Sequence, residues 1–152
     1  MCRGLRVCLL PLIFAPLLLR GADSPPANYD RVEVASAWTS IYIGTVSLKM
    51  PVFTRAASGD FESTYSARVF PYFFYNEHGR LSIRISDEAW RKLERGETIE
   101  FSGRAVNQEN AERRVEGKAT PAGVAGGKIK VRVFVSPQVE LIFNTTYRFP
   151  GR

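Results

Sequence analysis

The chain has little of the chemistry on which metal proteins and disulfide-rich domains depend. It has two cysteines and one histidine in 152 residues, and Cys2 and Cys8 both lie within a segment that has the character of a secretory signal. The rest of the chain therefore has no cysteine, which excludes a disulfide framework and a cysteine-based zinc site. The single histidine, His78, cannot alone build an ordinary zinc or copper site. We expect no metal and no other cofactor.

Catalytic motifs are also missing. No GxSxG segment occurs, and any serine triad would have to use His78. The segment 123–129 (GVAGGKI) departs from a phosphate loop, since Ala122 replaces its first glycine and isoleucine replaces its Ser/Thr. A strand rather than a helix is also predicted to follow it. We predict a non-catalytic protein, with an enzyme of unrecognised type as an alternative.

Residues 1–22 have the pattern of a signal peptide. Two arginines precede an apolar run at 7–19. This run is shorter than the roughly 20 residues that a membrane helix needs, and it contains two prolines. We predict a linker over 23–30, a single β-rich domain over 31–152, and no transmembrane span after signal cleavage.

The charge and the redox chemistry then indicate a compartment. Loss of residues 1–22 removes three of the 21 basic side chains and none of the 15 acidic ones, so the net charge falls from +6 to +3. A charge of this size does not argue for nucleic acid. An exported small domain without disulfides is more typical of a bacterial envelope than of a eukaryotic extracellular space. We predict a location in the bacterial periplasm, at the cell surface or secreted.

Alternation of apolar and polar residues with a period of two dominates the rest of the chain and predicts strands. Four such strands, joined by short turns as an antiparallel meander, are predicted at 98–106, 113–120, 128–135 and 139–149. The segment 122–127 (AGVAGG) is predicted to be a flexible loop. Two earlier strands, 41–52 and 65–75, change phase at Gly44 and Pro71, and we interpret each change as a β-bulge.

One short helix is predicted at 86–95. Ser86 is a good N-cap, Gly96 suits the position after the last turn, and Trp90 is an apolar anchor. A helix of this length is unstable alone and must dock, at a barrel end or over a sheet edge. The predicted fold class is mainly β: an antiparallel barrel or sandwich of about seven or eight strands, with the helix between the middle strands.

The segment 68–85 (RVFPYFFYNEHGRLSIRI) concentrates aromatic residues beside the single histidine. If 76–79 is a symmetric turn, Tyr72 and Phe74 face the core and His78 is a solvated turn residue.

The same register places Phe73 and Tyr75 on the outer face with Arg80 and Arg84. Two interpretations stay open. Arginine stems could simply cover exposed rings through cation–π contacts, or the four residues could bind a ligand or a partner. A second candidate patch for anionic surfaces is the outward strip Lys128, Lys130 and Arg132, with Arg113, Arg114 and Lys118 on a neighbouring strand. Nearby glutamates could instead neutralise it.

The leading hypothesis is an exported module that binds a hydrophobic, lipid-like or glycan ligand through an aromatic-lined cavity or face. Small closed barrels can hold one small ligand, and the strands carry more large rings than packing alone requires. The alternative is a protein-interaction or assembly component of the cell envelope. An apolar cavity of several hundred Å³ would favour the first hypothesis.

Overall fold

A computed structural model describes residues 29–150. The predicted signal peptide and most of the predicted linker lie outside these residues. Within the described part, no helix is long and apolar enough to cross a membrane. The last two linker positions are described, and Tyr29 is buried against Trp90 and Phe149, so the packed domain begins before residue 31.

The described chain is mainly β and contains one α-helix. The strands are β1 (Arg31–Val34), β2 (Ala37–Ile41), β3 (Gly44–Lys49), β4 (Val52–Arg55), β5 (Phe61–Phe70), β6 (Glu77–Arg84), β7 (Ile99–Asn107), β8 (Glu112–Gly123), β9 (Gly126–Ser136) and β10 (Val139–Arg148). The helix α1 (Asp87–Glu94) lies between β6 and β7, and a single 3₁₀ turn (Phe73–Tyr75) lies between β5 and β6.

These segments form a closed antiparallel barrel with eight strand positions. Neighbours along the chain pair from β5 through β10, and β10 pairs with β1. The pairs β1/β2 and β3/β4 each act as one bent strand, and β5 pairs with both β3 and β4. The β5–β6 ladder closes the ring. The predicted β class and the meander of the last four strands are confirmed, and the barrel rather than the sandwich is correct.

The predicted helix closes one end of the barrel. The Ser86 hydroxyl accepts a hydrogen bond from the Ala89 amide, and Gly96 has a φ of +78°, as the capping pattern predicts. Trp90 is buried and its ring lies 5.4 Å from that of Phe61. Only a small cavity of about 70 Å³ remains in the core beside the helix. This closed end also carries both termini of the described chain.

Both predicted bulges were wrong. Ile41 pairs with Gly44, so the phase change there is the tip of a β2–β3 hairpin. Gly44 has a φ of +129°, and a side chain on it would stand 2.0 Å from the carbonyl oxygen of Phe70, so only glycine suits the position. Pro71 ends β5 rather than kinking it, and the phase change there marks the start of a loop. A loop was also predicted at 122–127, but β8 and β9 meet in a tight turn there.

Residues 71–76, in the middle of the aromatic segment, form a loop rather than a strand. The register pairs Phe61 with Ile83 and Tyr65 with Gly79, so β6 already begins at Glu77. His78 therefore lies on the strand β6, exposed, and not in a turn. Phe74, which the predicted register placed in the core, is 77% exposed.

Candidate functional site

The half of the barrel away from the helix contains a cavity of about 390 Å³. Alternate residues of each strand point inward, and here they are mostly branched aliphatic side chains. Representative lining residues are Val46, Leu48, Leu81, Val131, Val133 and Leu141. The volume lies within the range of small-molecule sites, roughly 300–1,000 Å³.

One wall of the cavity carries the polar side chains of Tyr65, Glu77 and Arg113. Together with Asn107, which is not in the lining but hydrogen-bonds to Glu77, they form what we call the polar cluster. The Tyr65 hydroxyl donates to Glu77 Oε1 over 2.5 Å. Asn107 Nδ2 and Arg113 Nη2 both donate to Glu77 Oε2 over 3.2 Å. Three donors thus satisfy the carboxylate, which is the condition for keeping a charge in a largely apolar wall.

The polar cluster is positioned by four neighbouring strands: the middle of β5, the start of β6, the end of β7 and the start of β8. Asn107 ends β7, and its Oδ1 accepts from the amides of Glu109 and Ala111, so the β7–β8 turn fixes its side chain. Burial, and secondly the hydrogen bond to Glu77, raise the pKa of Tyr65 above its ordinary value of 10.0. Tyr65 therefore stays a neutral donor at physiological pH.

Arg113 is the member of the cluster whose predicted position was wrong. The sequence predicts it among the basic residues of the outer face, yet it lines the cavity. The signal was present in the alternation: Arg113 is in phase with Val115 and Ala119, both of which are buried. A charge in phase with core residues indicates an inward position.

The cavity opens at the end of the barrel opposite α1. Around this mouth lie exposed apolar side chains of the β2–β3 turn, of the loop after β5 and of the first residue of β10. We call them the apolar rim: Tyr42, Ile43, Phe73, Phe74, Tyr75 and Val139. A groove at the mouth runs between β2 and β10 and shares residues Ile41, Val69 and Leu141 with the cavity. In the described structure β2 forms a ladder only with β3. No described strand pairs with its other edge, so the groove stays open there.

The structure does not bring together the four predicted patch residues. Phe73 and Tyr75 belong to the 3₁₀ turn at the mouth, whereas Arg80 and Arg84 lie on the outer face of β6. Arg84 instead pairs with Asp60, with Nε 3.2 Å from Oδ1. The register that placed all four on one face was wrong because β6 begins at Glu77. Tyr75 does contribute to the cavity lining.

The basic strip of β9 is on the outer face, as predicted, and is partly neutralised. Arg132 makes two hydrogen bonds to the Glu140 carboxylate, of 2.5 and 2.9 Å, which lower the pKa of Glu140. Arg132 also lies 3.7 Å from Glu116. Lys130 stands directly opposite Lys118, and Lys128 is exposed at the closed-end side of the strip.

Comparison with known proteins adds no family to this description. No protein-family model matches the chain, and neither a curated protein nor a solved structure matches it. Among residues 29–150, no group of three or more His, Cys, Asp or Glu side chains is arranged to hold a metal ion.

Proposed function

We propose that this protein is a non-catalytic carrier that holds one apolar or amphipathic small molecule inside its barrel. The observation that carries the proposal is the cavity of about 390 Å³ with a single polar cluster on its wall. Its volume corresponds to about a dozen water molecules at their liquid volume. An apolar site of this size holds water poorly, so binding of a ligand that covers the apolar lining is favourable.

The wall chemistry favours a lipid-like ligand over a glycan. A glycan needs many hydrogen-bonding partners, whereas aliphatic side chains make up most of the lining. In the polar cluster, the charges of Glu77 and Arg113 offset one another, so a ligand with a net charge would be left uncompensated. Arg113 has further N–H groups that can donate, and the Tyr65 oxygen can still accept a hydrogen bond. An uncharged hydroxyl, ester or amide is therefore the polar group that fits.

The arrangement of Glu77 supports binding rather than catalysis. Its carboxylate accepts three hydrogen bonds, so it serves as a fixed counter-ion for Arg113. A general base needs a free lone pair directed at its substrate, and three of the roughly four lone-pair positions of this carboxylate are already occupied. The proposal also includes export, which rests on the signal-like sequence of residues 1–22.

A cavity-filling variant tests the carrier function. Val133 points into the cavity, whereas Val106 is only partly buried and lies between inward-facing Ala105 and Asn107, on the outer face. We expect Val133→Trp to abolish binding of an apolar fluorescent probe, such as an anilinonaphthalene, while Val106→Trp binds as the wild type does. Native mass spectrometry of the probe complex should give one probe per chain. Equal binding by all three proteins would place the probe outside the barrel and overturn the proposal.

A further inference from the structure

We infer that the apolar rim is a docking surface for a lipid bilayer. The rim side chains are exposed to an unusual degree: Phe73 is 61% exposed, Phe74 77% and Tyr75 67%. Tyr42 and Ile43 at the hairpin tip are likewise exposed. Soluble proteins rarely expose a contiguous apolar patch of this kind unless it contacts a partner or a membrane.

The rim is an ordered structure and not a loose loop. The rings of Phe74 and Tyr75 lie 4.4 Å apart, and those of Phe70 and Phe73 lie 5.7 Å apart. Asn76 Oδ1 accepts from the Val69 amide and so ties the end of the loop to the end of β5. The rings are thus held outward, which lowers the entropic cost of docking.

The distribution of charge points to a bilayer. The three segments that carry the rim, 35–48, 69–76 and 133–139, contain no Asp, Glu, Lys, Arg or His. The fourth connection at this end, the β7–β8 turn, carries Glu109, and Glu140 borders the groove. The closed end carries the ion pairs Lys92–Glu88 and Arg95–Glu97 on and beside α1. The uncharged side of the mouth, rich in phenylalanine and tyrosine, matches the boundary between lipid headgroups and acyl chains.

The choice of a bilayer over a protein also rests on the proposed ligand. A second copy or another protein seated on the rim would cover the mouth of the cavity. A bilayer would instead place the mouth and the groove between β2 and β10 against acyl chains, where an apolar ligand is dissolved. Interfacial segments usually insert to a depth of about 5–10 Å.

Flotation with phosphatidylcholine vesicles tests the docking surface. We expect the wild type to float with neutral vesicles and to remain bound in high salt, because the rim carries no charge. The double variant Phe73→Ser/Phe74→Ser should bind roughly tenfold more weakly for each ring removed, since partial insertion buries part of each ring. Val124→Ser is the matched control, because Val124 is 74% exposed at the closed end, and it should bind as the wild type does.

A spectroscopic variant reports the orientation. In a Trp38→Phe background, which removes the exposed native tryptophan, the fluorescence of Phe74→Trp should shift to the blue on addition of vesicles, whereas that of Val124→Trp should not. No flotation, or flotation only with phosphatidylglycerol vesicles at low salt and unaffected by the rim variants, would overturn the inference. A rim-dependent dimer in sedimentation that does not bind vesicles would overturn it in favour of a second copy. Val133→Trp should keep vesicle binding while losing the probe, which separates this inference from the carrier function.

Discussion

Replacement of Glu77 by leucine measures how strongly the polar cluster depends on its carboxylate. The variant leaves the Arg113 guanidinium and the Tyr65 hydroxyl without their common acceptor. Removal of one partner costs about 3–5 kcal/mol for a buried ion pair and about 0–1 kcal/mol for an exposed pair. The side chains of Arg113 and Glu77 are 23% and 20% exposed, between these limits but closer to burial. We therefore expect the free energy of unfolding to fall by about 2–4 kcal/mol.

A double-mutant cycle isolates the interaction itself. Urea unfolding at neutral pH, followed by circular dichroism, gives the free energies of the wild type, Glu77→Leu, Arg113→Leu and the double variant. The double variant leaves no uncompensated charge, so it should be more stable than the sum of the single losses predicts, by about 1–3 kcal/mol. Arg84→Leu, which removes an exposed ion pair, is the control and should have little effect. Additivity of the Glu77 and Arg113 losses within about 0.5 kcal/mol would refute the reasoning.

Two further predictions concern Tyr65 and the tryptophans. Because the pKa of Tyr65 is raised on folding, the unfolded chain loses this proton first as the pH rises above about 10, and the wild type loses stability there. Tyr65→Phe lacks this dependence, so urea unfolding should show the stability gap between the two proteins narrowing from about pH 9 to about pH 11; a constant gap would contradict the assignment. Trp90→Ala should lower the free energy of unfolding by about 3–5 kcal/mol, since it empties the core beneath α1. Trp38→Ala, at a ring 70% exposed, should cost little in the same urea-unfolding assay. Equal losses for both tryptophans would show that the helix does not hold the closed end.

The regular part of the fold could be predicted from the sequence because its signals are local. Alternation over β7 to β10 records which side chains each strand buries, and Ser86 and Gly96 mark the helix ends through contacts within a few residues. The exported compartment stays a prediction from residues 1–22.

The candidate site was harder to predict from the sequence because the local patterns there have two interpretations. A phase change can mean a bulge within a strand or a reversal of the chain, and at Gly44 the reversal is correct. At Pro71 a loop begins, and the pairing of Tyr65 with Gly79 then moves every later residue of the segment relative to β5. This difference in register is the reason why Phe73 and Arg80, which were predicted to share a face, lie apart.

The sequence by itself determined that this is a β-rich domain with one capped helix, since hydrophobic periodicity and capping act between near neighbours. Only the tertiary structure decided that the strands close into a barrel, that Arg113 meets Glu77 inside it, and that the aromatic rings surround its mouth. The physical reason is that ring closure depends on ladders between distant segments. Those ladders decide which residues share the interior, and a charge or a ring acquires its role only from the side of the wall on which it lies.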